Sequence, residues 1–586
     1  MNKIILIESK SQAEEYLKNR GKFEEAIPIT FDFESEELLL NAKMKFKTEE
    51  DYETETIYRG IYDLYLKNTE EICEKIKIDY RGIDLFQLFY MDLFRFLGKS
   101  RRYLILLEKI KKIENPKEVI TLRNKFNLEI DEEICSKTAK AVFKDKLKEI
   151  EYYDKSKKES VLIKFAGFVQ KVFSQIKLSL LNSKHNKIFF DDSKARIELL
   201  LKELNKTKRN KLFRCNNQLQ KSFLVDGKYV PFYEFNSRKS VHQKKLLKEI
   251  EEFKIKNRDF KFLDDLNIEE NLKPILEEWI NYYLKFKFLE ISGTINHMIT
   301  LIEKKKIDII VLFADSEPFG KAFTQVGKLF NIPSVVVLHG LLGGGISPGF
   351  VPFSADYILP YGNGSKKRLN KLGIPNEKII VTGSQQFDKY FNVKKIKKNP
   401  KKVVFITACP TSHNTLPEVV QSKKEIKRFY RILYGAMKKF PEYKLVVKGR
   451  KGWDMNGLPL IVAKQENYKI EFIEDINPIK LLFDAEIIIV NETTMVMDGL
   501  LLGARAISYW FKNLERFGGY KNSKAIKTVY TPKSFEKAIR ECIENKKREN
   551  EEEVKKYLEE ELYKLDGKAS ERIVNFIGEL ISKKTK

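Results

Sequence analysis

Five cysteines in 586 residues (Cys73, Cys135, Cys215, Cys409 and Cys542) form neither a CxxC pair nor any metal-ligand spacing. That scatter excludes a disulfide framework and a zinc site, and it fits a reducing compartment. Long apolar runs are also missing. The nearest stretch, Ser334 to Pro360, is interrupted by His339, three successive glycines and two internal prolines, so no transmembrane span is expected. The opening MNKIILIESKSQ offers four apolar residues before Glu8, too few for the hydrophobic region of a signal peptide. A cytoplasmic protein is the expectation. Helix-turn-helix, zinc-finger and RNA-binding aromatic signatures are absent, so no nucleic-acid partner is expected despite the basic balance.

What is present is enough apolar material for several cores. Hydrophobic residues make up 42% and aromatics 12% of a chain too long for one domain, and about three domains are expected. Lys and Arg outnumber Asp and Glu by 109 to 83, a formal charge of +26. The excess is uneven: residues 202–248 hold thirteen basic residues against three acidic ones. This stretch reads as a solvated basic face or as a contact for an anionic surface. Within residues 151–186, Leu162, Phe165, Val169, Val172, Phe173, Ile176 and Leu180 share a helical face flanked by Lys157, Lys158, Lys164, Lys171 and Lys177. Such a basic amphipathic helix either lies in a membrane interface or docks on its own domain.

The clearest organisation runs from Ile307 to Trp510. IDIIVLFADSEPFGKAFTQVGKLFNIPSVVVLHGLLGGG reads as buried strand, amphipathic helix, buried strand and then a glycine loop opened by His339-Gly340. DAEIIIVNETTMVMDGLLLGARAISYW repeats the strand, turn, helix and strand pattern. The expected fold class is α/β, two Rossmann-like domains facing a cleft, with an extra N-terminal α/β domain carrying added helices. Boundaries are expected at 1–150 for the N-terminal domain, 151–186 for the basic helical linker, 187–392 for the upstream domain and 393–586 for the downstream domain with its C-terminal helices. Clefts between α/β domains are where nucleotide ligands usually sit.

Three segments carry a family resemblance: IPSVVVLHGLLGG, ADYILPYGNGSKKRLNKLGIPNEKIIVTGSQQFDKY, and DINPIKLLFDAEIIIVNETTMVMDGLLLGARAI. In their order and spacing they resemble the GT-B superfamily of glycosyltransferases, most closely its surface- and capsular-polysaccharide biosynthesis members. Relatives on that fold include sugar-nucleotide 2-epimerases and CDP-glycerol glycerophosphotransferases. The epimerase DSGG..EE pattern is replaced here by Asn491-Glu492-Thr493-Thr494 with Asp498, so the epimerase carboxylates are not reproduced. The resemblance implies transfer of a sugar from a nucleotide-sugar donor to a glycan or lipid-linked acceptor, with no cofactor and with peripheral membrane contact. A polyol-phosphate transferase and a non-catalytic sugar-nucleotide or glycan-binding protein are the alternatives. The chain contains no Asp-x-Asp, the metal-chelating motif of the other major glycosyltransferase fold. No metal site is therefore expected, and phosphate charge falls to protein donors.

Glycosyl transfer with inversion needs a base for the acceptor hydroxyl. His339, ending a buried strand before a glycine loop, is the first candidate; a histidine that merely holds the loop is the competing reading. Asp315 and Glu317 end the preceding strand and are alternative bases or acceptor ligands, with helix capping as the plain role for Asp315. Gly340, Gly343, Gly344 and Gly345 allow close backbone approach to a ligand. On the donor side, Thr407, Thr411 and Ser412 lie in the first turn, and Lys448 and Arg450 end a strand. Glu492, Thr493 and Thr494 open a helix, where capping would also account for one threonine. Asp498 resembles the carboxylate that grips donor hydroxyls in the family.

Overall fold

The computed structural model describes residues 3–52, 61–125, 133–153, 186–191, 198–206, 210–216, 222–225, 228–231, 241–257, 260–342, 351–392, 401–407, 423–450, 457–491, 493–510, 520, 523–544 and 551–584. Among the described residues, three sheets, parallel in all but one edge, follow one another along the chain. The first contains β1 (Lys3–Ile7), β2 (Ala26–Thr30), β3 (Lys47–Thr48), β6 (Glu118–Asn124) and β7 (Leu147–Tyr152), in the order β3-β2-β1-β6-β7. A short ribbon, β4 (Asp79–Tyr80) with β5 (Ile83–Asp84), precedes its longest helix, Tyr90–Glu114. Local capping sets the crossovers: the Asp32 carboxylate accepts from Ser35 N at 2.9 Å and starts helix Phe33–Asn41. Asn115, in the left-handed region at φ 39°, ends the long helix.

The second sheet comprises β8 (Asn186–Asp191), β9 (Asn210–Asn216), β10 (Ser222–Val225), β11 (Lys228–Pro231), β12 (Ile309–Leu312), β13 (Ser334–Val337) and β14 (Tyr357–Leu359). Its order is β11-β10-β9-β8-β12-β13-β14, parallel from β9 to β14, with an antiparallel meander at the β11 edge. The third holds β15 (Lys402–Ile406), β16 (Lys444–Lys448), β17 (Glu471–Ile473), β18 (Ile487–Val490), β19 (Arg505–Tyr509) and β20 (Ile526–Val529). It is wholly parallel, in the order β17-β16-β15-β18-β19-β20, which is the 3-2-1-4-5-6 order of a doubly wound sheet. β12, β13 and β18 are buried along their whole length, which is why each reads as an uninterrupted apolar run.

Packing ties the three units together. Helices Lys273–Tyr282 and Phe288–Lys305, inserted before β12, meet the N-terminal unit in an aromatic core. There Trp279 stacks on Tyr283 and Phe96, while Phe89 stacks on Phe288. The N-terminal unit also reaches the third sheet. Phe33 belongs to that sheet's core and lies against Gly457, and Glu36 pairs with Lys423, both buried.

The last helix, grouped in the sequence with the downstream domain, packs on the upstream one, while helix Pro532–Glu544 stays in the downstream core. On helix Ala569–Lys584, Ile573, Ile577 and Ile581 recur every four residues and pack with Ile188, Phe190, Leu200 and Leu204. Asp388 caps this helix, its two carboxylate oxygens accepting from Ala569 N and Ser570 N at 2.9 and 2.7 Å.

Glu8, buried at the end of β1, receives Cys135 N, Ser136 N and Ser136 Oγ at 2.9, 3.2 and 2.7 Å. Burial outweighs these bonds and raises its pKa from 4.5 to about 7. The folded chain thus binds this proton more tightly, so the stability Glu8 contributes below pH 4.5 is lost as pH rises to about 7. His297 acts oppositely: burial lowers its pKa from 6.5 to about 4, so its contribution is present above pH 6.5 and lost on acidification. The two slopes offset each other between about pH 4.5 and 6.5, each bounded at about 3 kcal/mol by the pKa differences. Glu8→Gln is expected to expose the His297 slope, its melting temperature rising more steeply than wild type's from pH 4.5 to 6.5. Parallel wild-type and variant profiles would contradict this.

Candidate functional site

In open α/β sheets, ligand crevices form beyond the carboxyl ends of the strands. In the third sheet the order reverses between β15 and β18, whose carboxyl ends lead to Thr407 and to Asn491–Thr494. In the second sheet β13 ends at Val337, and His339 follows two residues on. These two edges meet. Leu341 N donates to Thr494 Oγ1 at 3.0 Å, and a Cβ on Gly340 would lie 3.7 Å from the same oxygen. The His339–Leu341 segment and the Thr493–Thr494 turn are therefore in direct contact across the cleft.

His339 stands exposed at this junction. Its Nδ1 lies 2.9 Å from the Phe313 carbonyl at the end of β12. A carbonyl can only accept, so Nδ1 carries the proton and Nε2 bears the lone pair of the neutral ring. The bond orients the ring and selects the tautomer that a base working through Nε2 requires. Holding the loop and acting as base are thus compatible roles for this residue.

The other upstream candidates are engaged elsewhere. Asp315 is buried, and one carboxylate oxygen receives Ser354 N, Ser354 Oγ and Ala355 N at 2.8, 3.0 and 3.0 Å. Beside it, buried Lys321 donates to the Pro352 carbonyl at 2.7 Å. Through that one oxygen Asp315 anchors the segment around Pro352, a structural role beside the one expected of it. Glu317 receives both terminal nitrogens of Arg95 from the N-terminal unit, at 3.1 and 2.6 Å, and is a domain tether.

On the downstream side, Thr493 and Thr494 are half-buried, with Thr494 as the N-cap residue of helix Met495–Leu501. Thr407 N donates to the Lys448 carbonyl at 3.0 Å. Lys448 Nζ donates to the carbonyls of Gly449 and Glu474, so the ammonium expected to meet phosphate is bound to the sheet edge instead. Arg450 is exposed beyond β16. Asp498 is buried and accepts the hydroxyl of Tyr390, from the segment that leads out of the upstream domain. Gly343, Gly344, Gly345, Thr411, Ser412 and Glu492 lie outside the described residues, as do residues 154–185 of the amphipathic stretch.

Two contributors carry no signal in the sequence. The Phe313 carbonyl is a backbone group, visible only once β12 and β13 are paired. Tyr520 lies 27 residues beyond Thr493 and contacts both of its peptide groups.

Two doubly wound sheets oppose their carboxyl edges, and the last helix crosses back to the first of them. The architecture is GT-B-like. Solved structures similar to this chain include two UDP-GlcNAc 2-epimerases. The one from Neisseria meningitidis, bound to UDP-GlcNAc, is 15% identical, with 67% of this chain and 100% of that one covered and a TM-score of 0.40. The one from Methanocaldococcus jannaschii, in complex with UDP-GlcNAc and UDP, is 14% identical, with 67% and 99% covered and a TM-score of 0.41. The pneumococcal O-GlcNAc transferase GtfA, in complex with UDP and GlcNAc, is 13% identical over 49% of this chain and 58% of its own, with a TM-score of 0.29. No protein-family model and no curated protein sequence matches the chain. At these identities no residue's role transfers from a neighbour. Among the described residues, no helix is long and apolar enough to cross a membrane.

Proposed function

We propose that this chain is a glycosyltransferase of cell-surface polysaccharide or glycoconjugate assembly. The downstream sheet binds a nucleotide-sugar, and the upstream sheet presents the acceptor, a glycan or lipid-linked hydroxyl compound. The observation that carries this reading is the Leu341 N–Thr494 Oγ1 contact, which sets the histidine loop of one sheet against the threonine turn of the other. A substrate pair bound at this junction would have its acceptor hydroxyl next to His339 and its diphosphate next to Thr493 and Thr494.

In a direct displacement, Nε2 of His339 takes the acceptor proton as the acceptor oxygen forms its bond to the anomeric carbon. The bond from that carbon to the diphosphate breaks, and the electron pair leaves on the nucleoside diphosphate. The hydroxyls of Thr407, Thr493 and Thr494 would donate to that charge. Holding both reactants between two rigid sheets supplies the orientation such a step requires.

A thermal-shift panel of nucleosides, nucleoside diphosphates and nucleotide-sugars tests the binding half. A nucleotide-sugar at a hundred times its dissociation constant is expected to stabilise the fold by about 2.7 kcal/mol. Acceptor-dependent release of nucleoside diphosphate then tests the chemistry. Sugar epimerisation without acceptor, or turnover confined to CDP-linked polyols, would replace glycosyl transfer with another reaction on the same fold. Binding without any turnover would leave a sugar-nucleotide-binding protein, and a flat panel at millimolar ligand would end the reading altogether.

A further inference from the structure

The hydroxyl of Tyr520 sits on the backbone of the threonine turn. Tyr520 Oη donates to the Thr493 carbonyl at 2.7 Å and accepts from Thr493 N at 2.9 Å. A phenol has one proton and two lone pairs, so this single group satisfies both peptide groups of one residue. The Tyr520 ring is buried, 2% exposed, which fixes where the hydroxyl can be. Thr493's own side chain adds only a longer bond, accepting from Met495 N at 3.3 Å. Tyr520 therefore supplies the shorter bonds that set the peptide on either side of Thr493, and with them the direction of Thr494.

Thr494 passes that direction across the cleft. Its Oγ1 receives Leu341 N, two residues beyond His339, while His339 itself is anchored to its own sheet through Phe313. The histidine loop is thus attached to both halves of the molecule. The attachment on the far half ends at Tyr520.

We propose that Tyr520 is a positioning residue for His339, acting through Thr493, Thr494 and Leu341. This rests on the transferase reading for its catalytic consequence, but its structural content does not. Tyr520→Phe keeps the ring and removes only the oxygen. With Oη gone, Thr493 N–H turns to water and its carbonyl keeps only the longer bond from Val496 N at 3.2 Å, so that Thr494 Oγ1 drifts and Leu341 N loses its acceptor.

Hydrogen exchange of the full-length protein, read on peptides spanning Leu341, is the direct test. Tyr520→Phe is expected to speed exchange at Leu341 about fivefold, the net worth of a typical hydrogen bond. Thr494→Val, which removes the acceptor itself, is expected to give the same acceleration. The double variant should be no faster than either single one, because both substitutions break one chain of contacts. Unchanged exchange in Tyr520→Phe while Thr494→Val accelerates it would overturn the proposal, as would additive effects in the double variant. In turnover, Tyr520→Phe is expected to lower kcat with KM for the nucleotide-sugar within about twofold, the signature of a misplaced base. An increase in KM alone would instead make Tyr520 a donor-site residue and overturn the positioning role. Should the exchange results come out as expected while wild type binds no nucleotide, the transferase reading falls and the coupling between the two halves stands.

Discussion

Lys423→Met is expected to destabilise the protein by about 3–5 kcal/mol, because it leaves the buried Glu36 carboxylate without its nearest cation. The pair joins helix Phe33–Asn41 of the N-terminal unit to helix Lys423–Met437 of the downstream half, with the two side chains 4% and 2% exposed. Lys427 stands 3.8 Å from Glu36 and pairs with Glu50, so part of the attraction survives and the loss belongs at the lower end of that range. Removing both charges together tests the cause. Lys423→Met with Glu36→Leu is expected to recover most of the loss, since two apolar side chains of similar volume impose no desolvation penalty. Denaturant midpoints of the single and double variants, at matched slope, provide the measurement. A double variant no more stable than the single one would mean that packing around Phe33 and Gly457, not charge, holds this interface. The same N-terminal unit shares its aromatic core with the upstream half and adds the Arg95–Glu317 tether. It therefore touches both sides of the cleft, and this ion pair is central to its hold on the downstream side.

Much of this architecture is legible in the chain because central parallel strands are buried on both faces. IIVL, SVVV and IIIV need no alternation to be read, and the polar turns after them mark the carboxyl edges where the site lies. The β9–β11 meander is harder to see. It falls within the basic stretch 202–248, where charge masks the apolar pattern of short strands. AIPITFDF reads as one strand, yet Asp32 caps a helix that begins at Phe33, so a local side-chain bond overrides the apolar pattern. The final helix shows an apolar face in sequence, but a face does not say which sheet it will cover. Its return to the upstream sheet depends on Asp388, 181 and 182 residues before the amides it caps. Among site residues, the pairing of the His339 loop with Thr494 follows from strand order, which sequence pattern can supply. The bonds that engage Asp315, Glu317 and Asp498 come from partners 39, 222 and 108 residues away, which pattern cannot supply.

His339→Ala is expected to lower kcat by about a hundredfold to ten-thousandfold, the range supplied by a positioned general base. That substitution alone confounds two roles, since it also removes the bond to the Phe313 carbonyl. His339→Asn separates them. An asparagine amide can offer an N–H near the position of Nδ1 and so can retain the link to Phe313, while its amide has no basic nitrogen to stand in for Nε2. If His339 is the base, Asn and Ala variants should be comparably inactive, and both should still bind the nucleotide-sugar in a thermal-shift assay, because the proposed donor site lies on the opposite sheet. If the histidine serves only to hold the loop, Asn should recover most of the activity that Ala loses. Retained turnover in the Asn variant would remove His339 from the chemistry and leave the acceptor proton to another group at the junction. Loss of nucleotide binding in both variants would place the ring in the donor site instead. The geometry favours the first outcome: the ring is exposed at the cleft, oriented by its own sheet, and two residues from the amide that touches the donor-side threonine.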